Sequence, residues 1–134
     1  MAAVISVKTN SRTEMVEITP SIQKEISRTG MGDGVCLVYV PHTTAGITIN
    51  EGADPAVCQD ILAKLADLVP AHAGYRHSEG NADGHIKASL MGSSVSVIVE
   101  KGRLLLGTWQ KIFLCEFDGP RRERHVLCTV IADA

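Results

Sequence analysis

The sequence is poor in aromatic side chains, has no long apolar run and no basic stripe, and each absence removes a class of function. Two Phe, two Tyr and one Trp are all the aromatics in 134 residues. Net charge is −2 with a pI near 6.2, and no stretch interleaves Lys and Arg with aromatics, so nucleic acid is not an expected partner. Arg121-Arg122-Glu123-Arg124 is too short to change that, although a single arginine can grip a phosphate or carboxylate bidentately. No apolar stretch approaches the roughly 20 residues that span a bilayer, so no membrane partner is expected. The opening residues, Met1 to Val7, lack the charged region and long apolar core of a leader peptide. There is no CxxC. Cys36, Cys58, Cys115 and Cys128 are scattered among apolar neighbours, which reads as buried reduced thiols of a cytoplasmic protein and argues against structural zinc held by cysteine. The lack of GxGxxG, Walker and GxSxG motifs argues against dehydrogenases, P-loop NTPases and serine hydrolases.

What remains is ordinary globular material, 45% hydrophobic and 21% charged, long enough for one domain over residues 1–134 with a real core. Val4–Val7 and Glu14–Ile18 read as short strands. Thr19-Pro20 opens a helix, with Thr19 as the expected N-cap and Ile22 and Ile26 on its core face. Gly30, Gly32 and Gly34 close it. The continuous apolar run Val35–Val40 predicts a strand buried on both faces. Asp54-Pro55 repeats the cap-plus-proline start of a helix, with Val57, Ile61, Leu65 and Leu68 along one face, Cys58 and Leu62 widening it, and Pro70 stopping it. Asp83 to Met91 reads as a short helix closed by Gly92. From Ser93 the pattern is all strand, with turns at Lys101-Gly102 and Asp118-Gly119-Pro120. Strands joined by short turns, with helices inserted between pairs, imply an α+β domain built on antiparallel sheet.

The chemistry-bearing stretch is Pro41 to Glu51, where a buried strand hands over to a loop. Between Thr44 and Asn50, Ala45, Ile47 and Ile49 fall on one strand face. Thr44, Gly46, Thr48 and Asn50 fall on the other, a small polar face suited to a pocket wall. His42, His77 and His85 lie near turns, as candidates for metal ligation or acid–base work. Their spacing matches no standard zinc signature, and unconnected loop histidines fit the pattern too. His72 and His125 read as structural, one on a surface turn and the other in a strand with charged neighbours. Glu51 and Asp83 are placed to orient an imidazole or to bind Mg²⁺, Asp54 is better read as a helix cap, and Lys87 is at i, i+4 from Asp83. Gly107-Thr108-Trp109-Gln110 combines a permissive backbone, a hydroxyl, the only Trp and an amide, fit either for an anion and a ring or for plugging the core. Arg121, beyond the Asp118 turn, is a candidate anion clamp.

Taken together, His42-Thr43-Thr44-Ala45-Gly46-Ile47-Thr48-Ile49-Asn50-Glu51, Asp54-Pro55, Tyr75-Arg76-His77, Asp83-Gly84-His85-Ile86-Lys87, Gly92, Gly107-Thr108-Trp109-Gln110 and the Glu116–Arg121 turn resemble the YjbQ-like family, often described as secondary thiamine-phosphate synthases. The resemblance runs through nearly the whole chain in the right order. It implies a small β-sandwich of two antiparallel sheets flanked by helices, assembled as a homotrimer, with one cleft near a subunit boundary. That cleft would hold His42, Asn50, Glu51, His77, Asp83, His85 and Thr108 to Gln110, with a divalent metal, zinc or magnesium, on His42, His77 and His85. His42, Asn50, Glu51 and Asp83 are then the catalytic candidates. Thr44, Lys87, Gly107, Thr108, Trp109, Gln110 and Arg121 are the substrate-binding ones. The spacing between His77 and His85 varies among relatives, which leaves Glu79 outside the set.

The implied reaction joins a hydroxymethylpyrimidine diphosphate to a thiazole phosphate and releases pyrophosphate, work for positioning and charge neutralisation. The word "secondary" points to a side activity. Two other classes fit the same residues. One is a metal-dependent hydrolase, and the other is a non-catalytic trimer that binds a phosphorylated metabolite.

Overall fold

The computed structural model describes residues 2–133; Met1 and Ala134, the ends of the domain read from the sequence, lie outside them. The elements run β1 (Ala3–Val7), β2 (Glu14–Glu17), α1 (Thr19–Thr29), β3 (Gly34–Tyr39), β4 (Ala45–Glu51), α2 (Pro55–Leu68), α3 (Ala82–Met91), β5 (Ser94–Glu100), β6 (Arg103–Leu104), β7 (Gln110–Glu116) and β8 (Arg124–Ala132). They form an α+β domain with a five-stranded sheet, β1-β8-β3-β5-β6, and a three-stranded sheet, β2-β7-β4. Every strand pair is antiparallel.

Alternation along the strands builds the core between the two sheets. Cys36, Val38, Val97, Val99, Val126 and Cys128 point in from the large sheet and meet Ala45, Ile47, Ile112 and Leu114 from the small one. The α1 helix closes one end of this layer with Ile22 and Ile26, both fully buried. Pro20 sits in its first turn as expected, but Thr19 is not the cap: Ile18 occupies that position, and Thr19 Oγ1 instead accepts the Ile112 N–H at 2.8 Å. The hydroxyl ties the helix to β7 rather than satisfying its own first turn. Asp54 does cap α2, accepting from the Ala56 N–H at 2.9 Å.

A second apolar cluster lies outside the small sheet, where Phe113, Cys115 and Phe117 meet Ala88 and Met91 of α3 and Cys58, Leu62 and Leu65 of α2. The small sheet is therefore covered on both faces. The large sheet is not, and here the reading of Val35–Val40 fails. Along β3 burial alternates strictly, with Cys36 and Val38 inside and Val35, Leu37 and Tyr39 exposed. Nothing in the chain covers that outer face among the described residues. The unbroken apolar run thus marks one core face and one bare face.

Gly46 shows how closely α3 lies on the small sheet. The last carbonyl of that helix turn, Gly92 O, accepts the Ile47 N–H at 3.0 Å. A Cβ on Gly46 would stand 2.7 Å from the same oxygen and 3.2 Å from Met91 Cβ. The small polar face of β4 is a helix seat, not an open pocket wall. Gly46→Ala should therefore lower unfolding free energy by about 1–3 kcal/mol through overpacking, read from a shifted urea midpoint at unchanged slope.

Candidate functional site

Beneath the site lies a polar cluster with no access to water. Arg124, first residue of β8, donates from Nε to Glu116 Oε1 at 2.9 Å and from Nη2 to the other carboxylate oxygen. Its Nη2 also reaches Thr44 Oγ1 at 2.9 Å, while Thr9 Oγ1 donates to Glu116 at 2.7 Å. Glu116 is 0% exposed and Arg124 3%. Burial by itself would raise the Glu116 pKa, but hydrogen bonds from Arg124, Thr9 and the Asp118 N–H hold it below the usual 4.5. Thr44, expected to touch substrate, is spent here: its hydroxyl serves Arg124 and its carbonyl accepts the Phe117 N–H at 3.1 Å.

His42 sits just above this cluster. Past Tyr39, which pairs with Leu127, β3 has left the sheet. There the His42 ring takes over, and Nε2 accepts the His125 N–H at 2.9 Å. The two imidazoles lie 6.2 Å apart between centroids. Burial pushes the His42 pKa below its ordinary value, and the nearby charges of Arg124, His125 and Arg121 push the same way against Glu116. His42 and Thr43 form one side of an open cleft of 490 Å³, and the α3 residues His85, Ala88 and Ser89, with Gly92 and Ser93, form the other. The cleft mixes polar and apolar lining and faces solvent. His77, from the loop before α3, packs edge-on against His85 with centroids 5.1 Å apart and an 82° interplanar angle.

The predicted metal ligands are thus brought together in pairs, His42 with His85 across the cleft and His77 against His85. Among the described residues no group of three His, Cys, Asp or Glu side chains is close enough to hold an ion. One lone pair of His42 is already taken by a backbone N–H. Within one chain these donors do not supply the three protein ligands that even an open, catalytic zinc site uses.

Asp83 and Lys87 are not cleft residues either. Both are almost fully buried; Asp83 pairs with Lys87 at 3.4 Å and with Arg12 at 3.1 Å, so the two hold α3 to the loop after β1. Arg121, the expected clamp, is folded onto its own turn, with Nε on the Asp118 carbonyl at 2.9 Å and Nη2 on the Asp118 carboxylate at 3.0 Å. The remaining candidates lie at the far end of β4. Asn50 Oδ1 accepts the Glu51 N–H at 2.7 Å, and Glu51 Oε2 accepts the Asp54 N–H at 3.0 Å, which makes Glu51 part of the entry to α2. Gly107 to Gln110 close on themselves through Gly107 N–H to Gln110 Oε1 at 2.8 Å and Gln110 N–H to Gly107 O at 3.0 Å. Those donors are not free for an anion. Trp109 is 62% exposed and plugs no core. Thr108 and Trp109 stand at the turn before β7, where Gln110 pairs with Glu51. Six strand steps at ~3.4 Å put this corner roughly 20 Å from the His42 end of β4.

Burial pushes Cys115 up to about 12 and disfavours the thiolate of Cys58 as well, and Cys36 lies against Cys128 with sulfurs 3.4 Å apart inside the core. Sequence reasoning passed over Arg124, Thr9, Arg12 and the place of His125 beside His42. The available signal was a carboxylate, Glu116, between the apolar run Ile112-Phe113-Leu114-Cys115 and Phe117, since a charge in such a run demands a partner.

Replacing that carboxylate tests the cluster. Glu116→Gln leaves Arg124 buried and uncompensated and should cost about 3–5 kcal/mol at neutral pH. Because the folded pKa is depressed, the wild-type advantage is full above the unfolded value of 4.5. It is lost as pH falls through the folded pKa. Denaturant midpoints of the two proteins, measured from pH 7 downward, should converge.

Comparison with known proteins identifies the family and the fold. A family model described as UPF0047 protein YjbQ-like matches residues 3–133. The UPF0047 protein of Methanocaldococcus jannaschii is 54% identical over 95% of this chain and 91% of its own length. The UPF0047 protein YugU of Bacillus subtilis is 51% identical over 90% of this chain and 92% of its own. Among solved structures, a YjbQ/UPF0047-family protein of Clostridium acetobutylicum, described as uncharacterized, superposes with a TM-score of 0.94 at 50% identity over 96% of this chain and 99% of that one. A Sulfolobus solfataricus protein described as of unknown function gives 0.94 at 34% identity over 99% and 97%. The chain belongs to the YjbQ-like UPF0047 family.

Proposed function

We propose that this YjbQ-like protein binds a small phosphorylated metabolite in the cleft between the His42 loop and α3. We further propose that it catalyses transfer from a diphosphate there, of the thiamine-phosphate type that the family resemblance suggests. The observation that carries the reading is the convergence of His42 and His85, from elements more than forty residues apart, on one open cleft beside a buried arginine. In the reaction a carbon–nitrogen bond forms between the pyrimidine methylene and the thiazole nitrogen. The methylene–oxygen bond breaks, and its electron pair leaves with pyrophosphate. Such a step needs donors aimed at the departing oxygens, and His42, Thr43, His85 and Ser93 bring N–H and O–H groups to one space, while the Ser89 hydroxyl is spent on the His85 carbonyl at 2.9 Å. Arg124 adds fixed positive charge below, although its own donors are committed to Glu116 and Thr44.

The Asn50 and Trp109 corner enters through assembly. Val35, Ile98 and Ile131 stand in one row across β5, β3 and β8, with Leu37 and Tyr39 beside them, and all are exposed. Contiguous apolar surface of this kind marks an interface. In the proposed homotrimer this face is covered, and the Trp109 turn of one copy supplies the missing wall to the cleft of the next. Because the histidines do not close a donor set in one chain, a divalent ion belongs in this reading to the substrate's phosphates.

Four outcomes are expected. The two thiamine precursors should give thiamine phosphate with the wild type, and His85→Ala should reduce turnover by about 10²-fold or more at unchanged oligomeric state. Saturable binding without turnover would instead mark a binding protein, and no binding of either precursor would sink the proposal. Elemental analysis of the purified protein should find well under one metal per chain. Light scattering should report a trimer that Ile131→Asp dissociates. Mixing inactive His85→Ala and Trp109→Ala chains should restore part of the activity only if the cleft is shared between copies.

A further inference from the structure

We propose that His42 serves as a neutral hydrogen-bond donor, offering Nδ1–H to an anionic oxygen in the cleft, and acts neither as a base nor as a metal ligand. A neutral imidazole has one protonated and one bare nitrogen. The His125 N–H points at Nε2 from 2.9 Å, so Nε2 is the bare one. The proton is therefore on Nδ1. That nitrogen has no lone pair for a metal or a substrate proton, and Nε2 has none to spare, since accepting either would break the bond to His125 and orphan a backbone donor. The surroundings reinforce the neutral form. Arg124 lies beneath the ring, His125 stands 6.2 Å away, and Arg121 contributes in the same sense, with Glu116 opposing but neutralised by its bidentate partner.

The ring cannot turn to exchange its two nitrogens without losing the His125 bond, because past the Tyr39–Leu127 pair it is the ring that accepts from β8. What the cleft receives is a donor of fixed tautomer. A neutral imidazole N–H stabilises an oxyanion or leaving phosphate oxygen without giving up its proton. The proton chemistry of the cleft then falls to His85, whose side chain makes no hydrogen bond among the described residues; its hydrogen bonds are backbone ones, the N–H to Asn81 O at 3.3 Å and the carbonyl accepting from Ser89. The inference rests on the proposed anion cleft for its ligand but not for its tautomer.

The test separates the two. Long-range ¹H–¹⁵N correlation on the ligand-free protein at neutral pH should show His42 with a protonated Nδ1 and a bare Nε2. A protonated Nε2, alone or with Nδ1, would overturn the assignment. Inorganic pyrophosphate is then titrated into wild type, His42→Asn and His42→Asp. The Asn amide nitrogen stands where Nδ1 stands and keeps a donor, so affinity should remain within about threefold. Asp, which presents a charged acceptor, should weaken binding about tenfold or more. If Asp binds pyrophosphate or a divalent ion as well as wild type while Asn does not, His42 is a ligand and the proposal is wrong. If wild type binds no pyrophosphate, the anionic ligand is wrong, and the nitrogen shifts still decide the tautomer.

Discussion

Everything near the cleft depends on one ion pair, Arg124 with Glu116, sealed from water. Arg124 begins β8 in the large sheet and Glu116 ends β7 in the small one, so the pair bolts the two sheets together at one end. Thr9 from the loop after β1 and Thr44 from the loop before β4 complete it. Burying two charges is costly, and a core of apolar isosteres would be at least as stable. What the pair adds is position. A bidentate guanidinium accepts one geometry of its carboxylate, and four separate segments are held to that geometry.

The same constraint shapes the chemistry. With Arg124 fixed, the next residue, His125, directs its N–H at His42, and Thr44 leads straight into β4. The carboxylate cancels most of the arginine's charge, yet the local balance still disfavours a second cation on His42. The second ion pair, Asp83 with Lys87 and Arg12, does for α3 what the first does for the sheets, and so sets where His85 stands. The ionic groups that looked catalytic are supports: Asp83 and Lys87 hold α3, and Arg121 is folded onto its own turn.

Local patterns in the sequence were legible where local physics decides. Asp54-Pro55 starts a helix because an Asx oxygen and a missing N–H both suit that position, and Ala45, Ile47 and Ile49 fall inward because strand side chains alternate. Long-range pairings were not legible. Nothing near Thr44 announces that its hydroxyl belongs to Arg124, 80 residues on. Nor does periodicity say which end of a strand a motif reaches, so His42 and Trp109 read as one cleft although β4 separates them. Val35–Val40 misled for a related reason, since an apolar outer face looks the same in sequence whether a helix or another molecule covers it.

That bare face and the stranded tryptophan bear on each other. An indole 62% exposed at a tight turn, closed by its own Gln110 and tied to Gly52, contributes little to its own fold. Val35, Ile98 and Ile131 in an uncovered row likewise leave apolar area in water that folding alone could have hidden. Both are unfavourable in an isolated chain, because each exposes surface that burial would stabilise. In the proposed homotrimer one event would relieve both, a second copy laid against the sheet with its Trp109 turn reaching a neighbour's cleft. In that proposed arrangement the residues that separate along β4 within a chain would meet between chains, and the site would become a property of the assembly while each fold remains complete without it.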